Sequence, residues 1–331
     1  MHTGQSRREF LTALTAAGAA GVLGAQRSLA DEGPPETTAI RLAYYKNNCL
    51  APLLVAEDLL RLEGFTEIKY VSVPKSFLTP ELVARGECNF ANTFAGTLVS
   101  YLDNGLPITA LSGVHAGCYE LFAHEPIQTI SELRGKKIAI KDLKSDGYYF
   151  VALMAVHVGL DPKTDFDWVT SDDPMNMFVE RKADGFLAFP PEPQELRDRN
   201  IGHVLISTIE DKPWSQYFCC VLYSSRDFVR NNPIATKRYL RAVLKAADFC
   251  AAQPEKAAQR LVKAGSRYEY ALQTLTEIQY RRWRDYDPED TFRFYALLLH
   301  EAGIVESNPQ SIIAEGTDWR FLNELKREMK T

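Results

Sequence analysis

Cysteine is the residue type in this chain with the widest chemistry, and there are six: Cys49, Cys88, Cys118, Cys219, Cys220 and Cys250. A thiol can attack a substrate, hold a metal or pair in a disulfide, and each use tends to leave a spacing along the chain. No CxxC occurs, and Cys and His do not alternate at ligand spacing, so the six read neither as a metal centre nor as a redox dithiol. Buried free thiols are the expectation, and the adjacent Cys219 and Cys220 are poorly placed to bridge each other. His115 and His124 flank a strand-like run, with Glu120 and Glu125 nearby, but no HExxH pattern surrounds them and they read as ordinary polar or surface histidines. Asp172-Asp173 and the pair Glu192 and Glu195 read as solvated loop acids and helix caps. The nucleophile elbow GxSxG, the phosphate loop GxxxxGK and the dinucleotide fingerprint GxGxxG are all absent. No catalytic residue, metal or cofactor is therefore assigned, and the chemistry expected is binding.

The N-terminus says where that binding takes place. Ser6-Arg7-Arg8-Glu9-Phe10-Leu11, followed by the weakly apolar run Thr12 to Ala25, reads as a twin-arginine export signal. That run is diluted by Gly18, Gly21 and Gly24 and falls short of the roughly 20 apolar residues a membrane-spanning helix needs. Ser28-Leu29-Ala30 presents small residues for a signal peptidase, which makes residues 1–30 the signal peptide with cleavage after Ala30. No cysteine lies there to take a lipid. The expectation is a soluble periplasmic protein that crosses the membrane through the twin-arginine translocase. Residues 1–30 carry Arg7, Arg8 and Arg27 against Glu9, so their removal takes the net charge from −5 to −7. Such an acidic balance argues against nucleic acid or an anionic membrane as partner.

The elements that must position any site alternate between short β-type runs and helical segments, the pattern of α/β architecture. After a Pro/Glu/Thr-rich leader, Ile40 to Tyr44 is a strand. A helix follows from Ala51 to Leu62, stopped at Gly64, and Ile68 to Val73 returns as a strand. Thr79-Pro80-Glu81 reads as an N-cap, a first-turn proline and a first-turn acid. Cys88 to Ala91, Ile108 to Leu111 and Cys118 to Ala123 complete a first series of strands. Leu133-Arg134-Gly135-Lys136-Lys137-Ile138 opens a second series: a strand, a helix Gly147 to Val158, a strand Phe166 to Val169, a helix Pro174 to Lys182 and a strand Gly185 to Phe189. The spacing Val83-x-Arg85 with Phe90 is echoed by Val179-x-Arg181 with Phe186, which suggests two similar lobes. Tyr217 to Ser224 is the last strand, and capped helices follow to the end. The fold class expected is α/β with two lobes and a cleft between them. Lobe one comprises residues 31–123 and 225–331 and carries the C-terminal helices; lobe two is 124–224.

Several of these residues resemble a known family. Ala51-Pro52 opens the first helix after Tyr44-Tyr45-Lys46-Asn47-Asn48-Cys49; the Leu133 to Ile138 turn follows; and Cys219-Cys220-Val221-Leu222-Tyr223 precedes Asp227-Phe228 and Asn232-Pro233. Together they resemble the solute-binding proteins of ABC importers of the nitrate, sulfonate and taurine type, a family that also contains thiamine-pyrimidine precursor binders and synthases. The resemblance covers most of the mature chain. It implies a Venus-flytrap fold that closes on a small organic molecule and presents it to a membrane permease and its ATPase. The synthases carry Cys-Cys-Cys-Phe-Cys before a Val-Leu-Tyr run, with a lysine for pyridoxal phosphate and a histidine consumed as substrate. Here that motif reads Ser215-Gln216-Tyr217-Phe218-Cys219, and the lysine and histidine positions fall on Asn92 and Gly96, which disfavours the enzyme reading. A sensory receptor built on the same lobes is the other alternative.

In a two-lobed binder, ligand contacts come from the carboxyl ends of strands. From lobe one these are Tyr45, Asn48 and Cys49 after the first strand, Ser76 after the second, and Thr93, Phe94 and Ala95 after the third, where a helix N-terminus favours an anion. From lobe two, Asp146, Gly147 and Tyr148 precede a helix, Ser171 follows the next strand, and Phe189, Pro191 and Glu192 lie in a proline-stiffened loop. Trp214, beside the return crossing, would serve as an aromatic floor or lid. The aromatic share of this set suits a small planar molecule, one that could carry a carboxylate or sulfonate.

Overall fold

Strand β1 (Ala39–Tyr44) buries Ile40 and Leu42 and exposes Arg41, the alternation of a strand with one face on a core. It opens the computed structural model, which describes residues 32–329; the export signal and its cleavage site lie outside the described residues. The segment after β1 forms two short helices instead of one, α1 (Ala51–Val55) and α2 (Glu57–Leu62), and turns at Gly64 with φ of 101°. Strand β2 (Glu67–Ser72) and helix α3 (Thr79–Ala84) follow. Thr79 does not cap α3, because a 3-10 turn at Ser76–Leu78 starts the helix early; its hydroxyl instead donates to Ser76 O at 2.7 Å and meets the Tyr223 hydroxyl at 2.6 Å.

Strand β3 (Phe90–Phe94) lies further along than the sequence suggests and runs directly into helix α4 (Ala95–Asp103), with no loop between them. Together with β4 (Ile108–Ala116) it is buried on both faces, as expected for the middle of a covered sheet. β5 (Glu120–Ala123), β6 (Lys137–Ile140), helix α5 (Asp146–His157), β7 (Asp167–Thr170), helix α6 (Pro174–Val179) and β8 (Gly185–Ala188) build the second series. Two elements had no sequence expectation, helix α7 (Glu192–Asp198) and strand β9 (His203–Ser207). Pro190, Pro191 and Pro193 read as a stiff loop, but a proline in the first helical turn is compatible with a helix start, and Pro193 occupies it. Strand β10 (Phe218–Ser225) closes the α/β part.

The first sheet has the order β2-β1-β3-β10-β4 and the second β7-β6-β8-β5-β9. In each, the first three strands are parallel and the fourth is antiparallel to its neighbours. The Val83/Phe90 and Val179/Phe186 echo falls on equivalent elements of the two sheets, α3 with β3 and α6 with β8. The crossings differ from the expected boundaries. β5 pairs in the second sheet and β10 in the first, so the chain crosses at 117–119 and returns at 208–217, not at His124 and Ser224. The crossings touch at Thr208, whose hydroxyl accepts from Cys118 N (3.1 Å) and Tyr119 N (2.9 Å). Gly117 has φ of 49° there, and a Cβ would come within 2.1 Å of Thr208 O, so only glycine fits.

The rest is helical: α8 (Arg226–Asn231), α9 (Pro233–Ala252), α10 (Pro254–Lys263), α11 (Tyr268–Glu277), α12 (Pro288–Glu301), α13 (Pro309–Gly316) and α14 (Arg320–Glu328). α9 packs on α1 and α2 of lobe one, as expected, but α12 touches both α4 and α5, and α11 reaches α7, so these helices also contact lobe two. Among the described residues no helix is long and apolar enough to cross a membrane.

Candidate ligand cleft

A cavity of about 360 Å³ lies between the two sheets, within the range of small-molecule sites. Lobe one contributes Tyr44, Tyr45 and Lys46 from the end of β1 and Ser72, Val73, Pro74 and Ser76 from the end of β2. Lobe two contributes Ile140 and Lys141 from the end of β6, Ser145, Asp146 and Gly147 from the start of α5, Pro174 from α6, and Phe186, Phe189 and Glu192 around β8. Residues at strand ends thus line this cavity from both sides.

Asp146 is the electrostatic centre of the cleft. It is buried, and four hydroxyls donate to it: Thr97 Oγ1 at 2.6 Å and Thr93 Oγ1 at 3.3 Å to Oδ1, Tyr119 Oη at 3.1 Å and Ser76 Oγ at 3.4 Å to Oδ2. Three of these donors belong to lobe one and Tyr119 to the crossing, so a lobe-two carboxylate is held by the opposite lobe. Burial raises its pKa, and the hydroxyls pull the other way. Further ties cross the cleft: Asn48 N donates to Pro190 O at 3.1 Å, Arg197 to Glu277 at 2.7 Å, and Tyr270 Oη to Asp198 Oδ2 at 2.8 Å. Lys75 pairs with Asp172 at 3.0 Å. The lobes are closed on each other.

Burial also raises Tyr45 well above its ordinary pKa, with the charge of Asp146 next, so it stays a neutral phenol. Partly buried Glu192 accepts from Phe189 N at 3.1 Å, and burial lifts its carboxyl to about 8. Native Glu192 thus keeps a proton that the unfolded chain releases near 4.5, so stability should fall as pH rises between those values, by up to about 1.4 kcal/mol per pH unit. Glu192→Gln should flatten that slope, which melting temperatures measured from about pH 5 to about pH 8 would read.

Gly147 needs no special backbone angle. An added Cβ would meet only Ser145 Oγ at 3.8 Å and Ile140 Cγ2 at 3.9 Å, leaving the methyl to occupy cleft space. Gly147→Ala should therefore leave stability unchanged or raise it by up to about 1 kcal/mol, and weaken ligand binding by about tenfold or more, about 1.4 kcal/mol. Calorimetric titration beside thermal unfolding checks both.

Several expected contacts sit elsewhere. Phe94 stacks on Phe150 at 4.2 Å in the core, and Ala95 is buried at the start of α4. Thr93 reaches the cleft only through Asp146. Asn48 is buried, its Oδ1 accepting from Ser266 Oγ at 2.6 Å. Tyr148 packs edge-on to Trp168 at 4.9 Å, and Ser171 Oγ accepts from Asp173 N at 3.1 Å in a capping turn. Pro191 is not in the lining; its carbonyl accepts from Glu195 N at 3.1 Å at the start of α7. Trp214, only 2% exposed, packs against Phe150, His157 and Phe294, so it is core and neither floor nor lid.

Cys49 turns away from the cleft toward Cys220, Sγ to Sγ 3.9 Å, where Cys118 and His115 also converge. All six cysteines are buried and unbridged, as expected, but their independence along the chain does not survive folding. His124 is structural, with Nε2 2.8 Å from Phe178 O and its ring stacked on Phe178, and Glu120 pairs with Arg197.

The family model described as NMT1/THI5 like matches residues 64–257. No curated protein matches the chain. Among solved structures, the periplasmic nitrate-binding protein NrtA from Synechocystis PCC 6803 is similar with a TM-score of 0.76 at 15% identity, over 90% of this chain and 90% of that one. The alkanesulfonate-binding protein SsuA from Xanthomonas axonopodis pv. citri, bound to MOPS, gives 0.71 at 14% identity over 86% of this chain and 99% of that one. The periplasmic aliphatic sulphonate binding protein SsuA from Escherichia coli gives 0.65 at 17%, over 81% and 94%. At these identities the likeness is one of fold, the two-lobed periplasmic-binding-protein fold expected from the sequence.

Proposed function

On the premise that the chain belongs to the NMT1/THI5-like family, whose model spans more than half of it, we propose that it is the periplasmic substrate-binding component of an ABC importer. It captures a small planar molecule between its lobes and delivers it to a membrane permease and its ATPase after twin-arginine export. The observation that carries this reading is the closed cleft, walled by strand ends from both sheets and latched through Asp146. A ligand touching both walls stabilises only the closed state, and that differential affinity is what a permease can recognise.

The lining favours a ring over a simple anion. Tyr44, Tyr45, Phe186 and Phe189 offer aromatic surface. Glu192, protonated near neutral pH, offers a donor and an acceptor on one group. The buried charge of the lining is the carboxylate of Asp146, while its two lysines, Lys46 and Lys141, are exposed and partly exposed. A neutral planar heterocycle with adjacent donor and acceptor atoms matches this surface better than nitrate or an alkanesulfonate. Catalysis of the synthase kind has no support in the residues, since the lysine and histidine positions hold Asn92 and Gly96, and a Cβ at Gly96 would already lie 2.6 Å from the Phe94 ring.

Thermal unfolding of the purified protein against pyrimidines, aromatic and aliphatic carboxylates, sulfonates and nitrate tests the proposal. A ligand at 100 times its Kd stabilises the native state by about 2.7 kcal/mol, a clear rise in Tm. The largest shift is expected among the ring compounds. A shift with nitrate or alkanesulfonate and none with any ring would overturn the ligand class.

A further inference from the structure

We propose that Cys49, His115, Cys118 and Cys220 form a binding site for one thiophilic metal ion of the zinc class, separate from the lining of the ligand cleft. The four residues come from separate segments: the turn after β1, strand β4, the first crossing between lobes, and strand β10. Each offers a ligand atom, and the four atoms lie within 4.8 Å of one another. All four residues are at least 98% buried. A tetrahedral zinc site with Zn–S bonds of about 2.3 Å has sulfur–sulfur edges of about 3.8 Å, and Cys49 Sγ and Cys220 Sγ already stand 3.9 Å apart. Three thiols and one imidazole are a set used by closed zinc sites.

His115 supplies a second, independent indication. Its Nε2 is buried without a hydrogen-bond partner, and its Nδ1 lies 3.4 Å from the Ala116 carbonyl. Proton on Nδ1, directed at that carbonyl, leaves the Nε2 lone pair free, which is the arrangement metal-bound histidines adopt. A buried ring nitrogen without a partner is costly unless something occupies it. The donor set contains no carboxylate, which disfavours calcium and magnesium. Ligation releases the thiol protons to solvent and leaves the histidine neutral. Cys118 lies in the crossing, while the other three residues belong to lobe one, so a bound ion ties the hinge to that lobe. Cys219 Sγ, 3.5 Å from Cys118 Sγ, is the neighbouring thiol that could divert Cys118 into a disulfide instead.

The full chain, reduced and freed of metal by a chelator, should bind one equivalent of zinc in competition with a chromophoric chelator. Cobalt(II) in its place should give the intense bands of a tetrahedral thiolate complex, a readout that needs no variant. Cys220→Ser and Cys118→Ser should each weaken zinc binding by about 100-fold or more, while Cys88→Ser and Cys250→Ser should not change it. Absence of stoichiometric binding, a cobalt spectrum without thiolate charge transfer, or undiminished binding in Cys220→Ser would overturn the site. Formation of Cys118–Cys219 and Cys49–Cys220 disulfides in the presence of zinc would overturn it as well.

Discussion

Replacing Asp146 by alanine is expected to open the lobes and lower stability by about 2–4 kcal/mol, since hydrogen bonds to a charged group are worth about 1.5–3 kcal/mol each and part of that gain already offsets burial of the carboxylate. The acceptor lost is shared by Thr97, Thr93, Tyr119 and Ser76, and three of those donors sit in the lobe opposite Asp146. Without it, the hydroxyls of Thr93 and Thr97 stay buried and lose their partner unless the cleft admits water, and opening is the route by which water enters. Melting should fall by roughly 5–10 °C, and small-angle scattering should report a larger radius of gyration. Asp146→Asn keeps one acceptor oxygen and should lose about half as much. A closed, unshifted Asp146→Ala protein would show that the latch contributes nothing.

Trp214→Ala is the second large effect, and its character separates core from site. The indole is buried among Phe150, His157 and Phe294, at ring separations of 5.5, 5.4 and 5.7 Å. Truncating such a residue leaves a cavity and typically costs about 3–5 kcal/mol, on the order of 10 °C in Tm for a chain of this size. Since the ring does not line the cleft, affinity for ligand in the folded variant should match wild type. Thermal unfolding and binding titration of the same preparation check both halves. A large affinity loss with stability intact would return Trp214 to the cleft.

The contrast between Trp214 and Phe189 shows how far the sequence could be read. Both are aromatics beside lobe two, yet only Phe189 directly follows a strand of the sheet. The rule that strand ends make the site named Tyr45, Ser76, Asp146, Gly147, Phe189 and Glu192, all of which line the cavity. It would also have found Lys141, the first residue after β6, had it been applied there. Phe94 and Ala95 were misplaced because β3 begins two residues later than its composition suggests and flows into α4, which moves the supposed loop into the core. Tyr148 follows Gly147 on a helix, so a shift of one residue turns its ring toward Trp168 and away from the cleft. The two-lobe plan was legible from alternation of elements and from the Val/Arg/Phe echo. Its crossing points were not, because β5 reads as the last strand of the first series until its pairing with β8 and β9 is seen.

The cysteine and histidine cluster was invisible for a different reason. Metal-ligand spacing is readable when donors share a turn or hairpin, whereas Cys49 and Cys220 meet only because β1 and β10 lie in one sheet with β3 between them. Asp146 is an intermediate case. Its position at the start of α5 was readable as a capped helix facing the cleft, but the hydroxyls that hold it come from β3, α4, the β2 loop and the crossing, and no local pattern joins them.

Calorimetric titration of the compound that raises Tm most, against wild type, Phe189→Ala and Trp214→Ala, tests the central claim most directly. One site per chain is predicted, with affinity reduced about tenfold or more in Phe189→Ala, which corresponds to about 1.4 kcal/mol, and unchanged in Trp214→Ala. Wild-type affinity in Phe189→Ala would contradict a ring-binding cleft between the lobes.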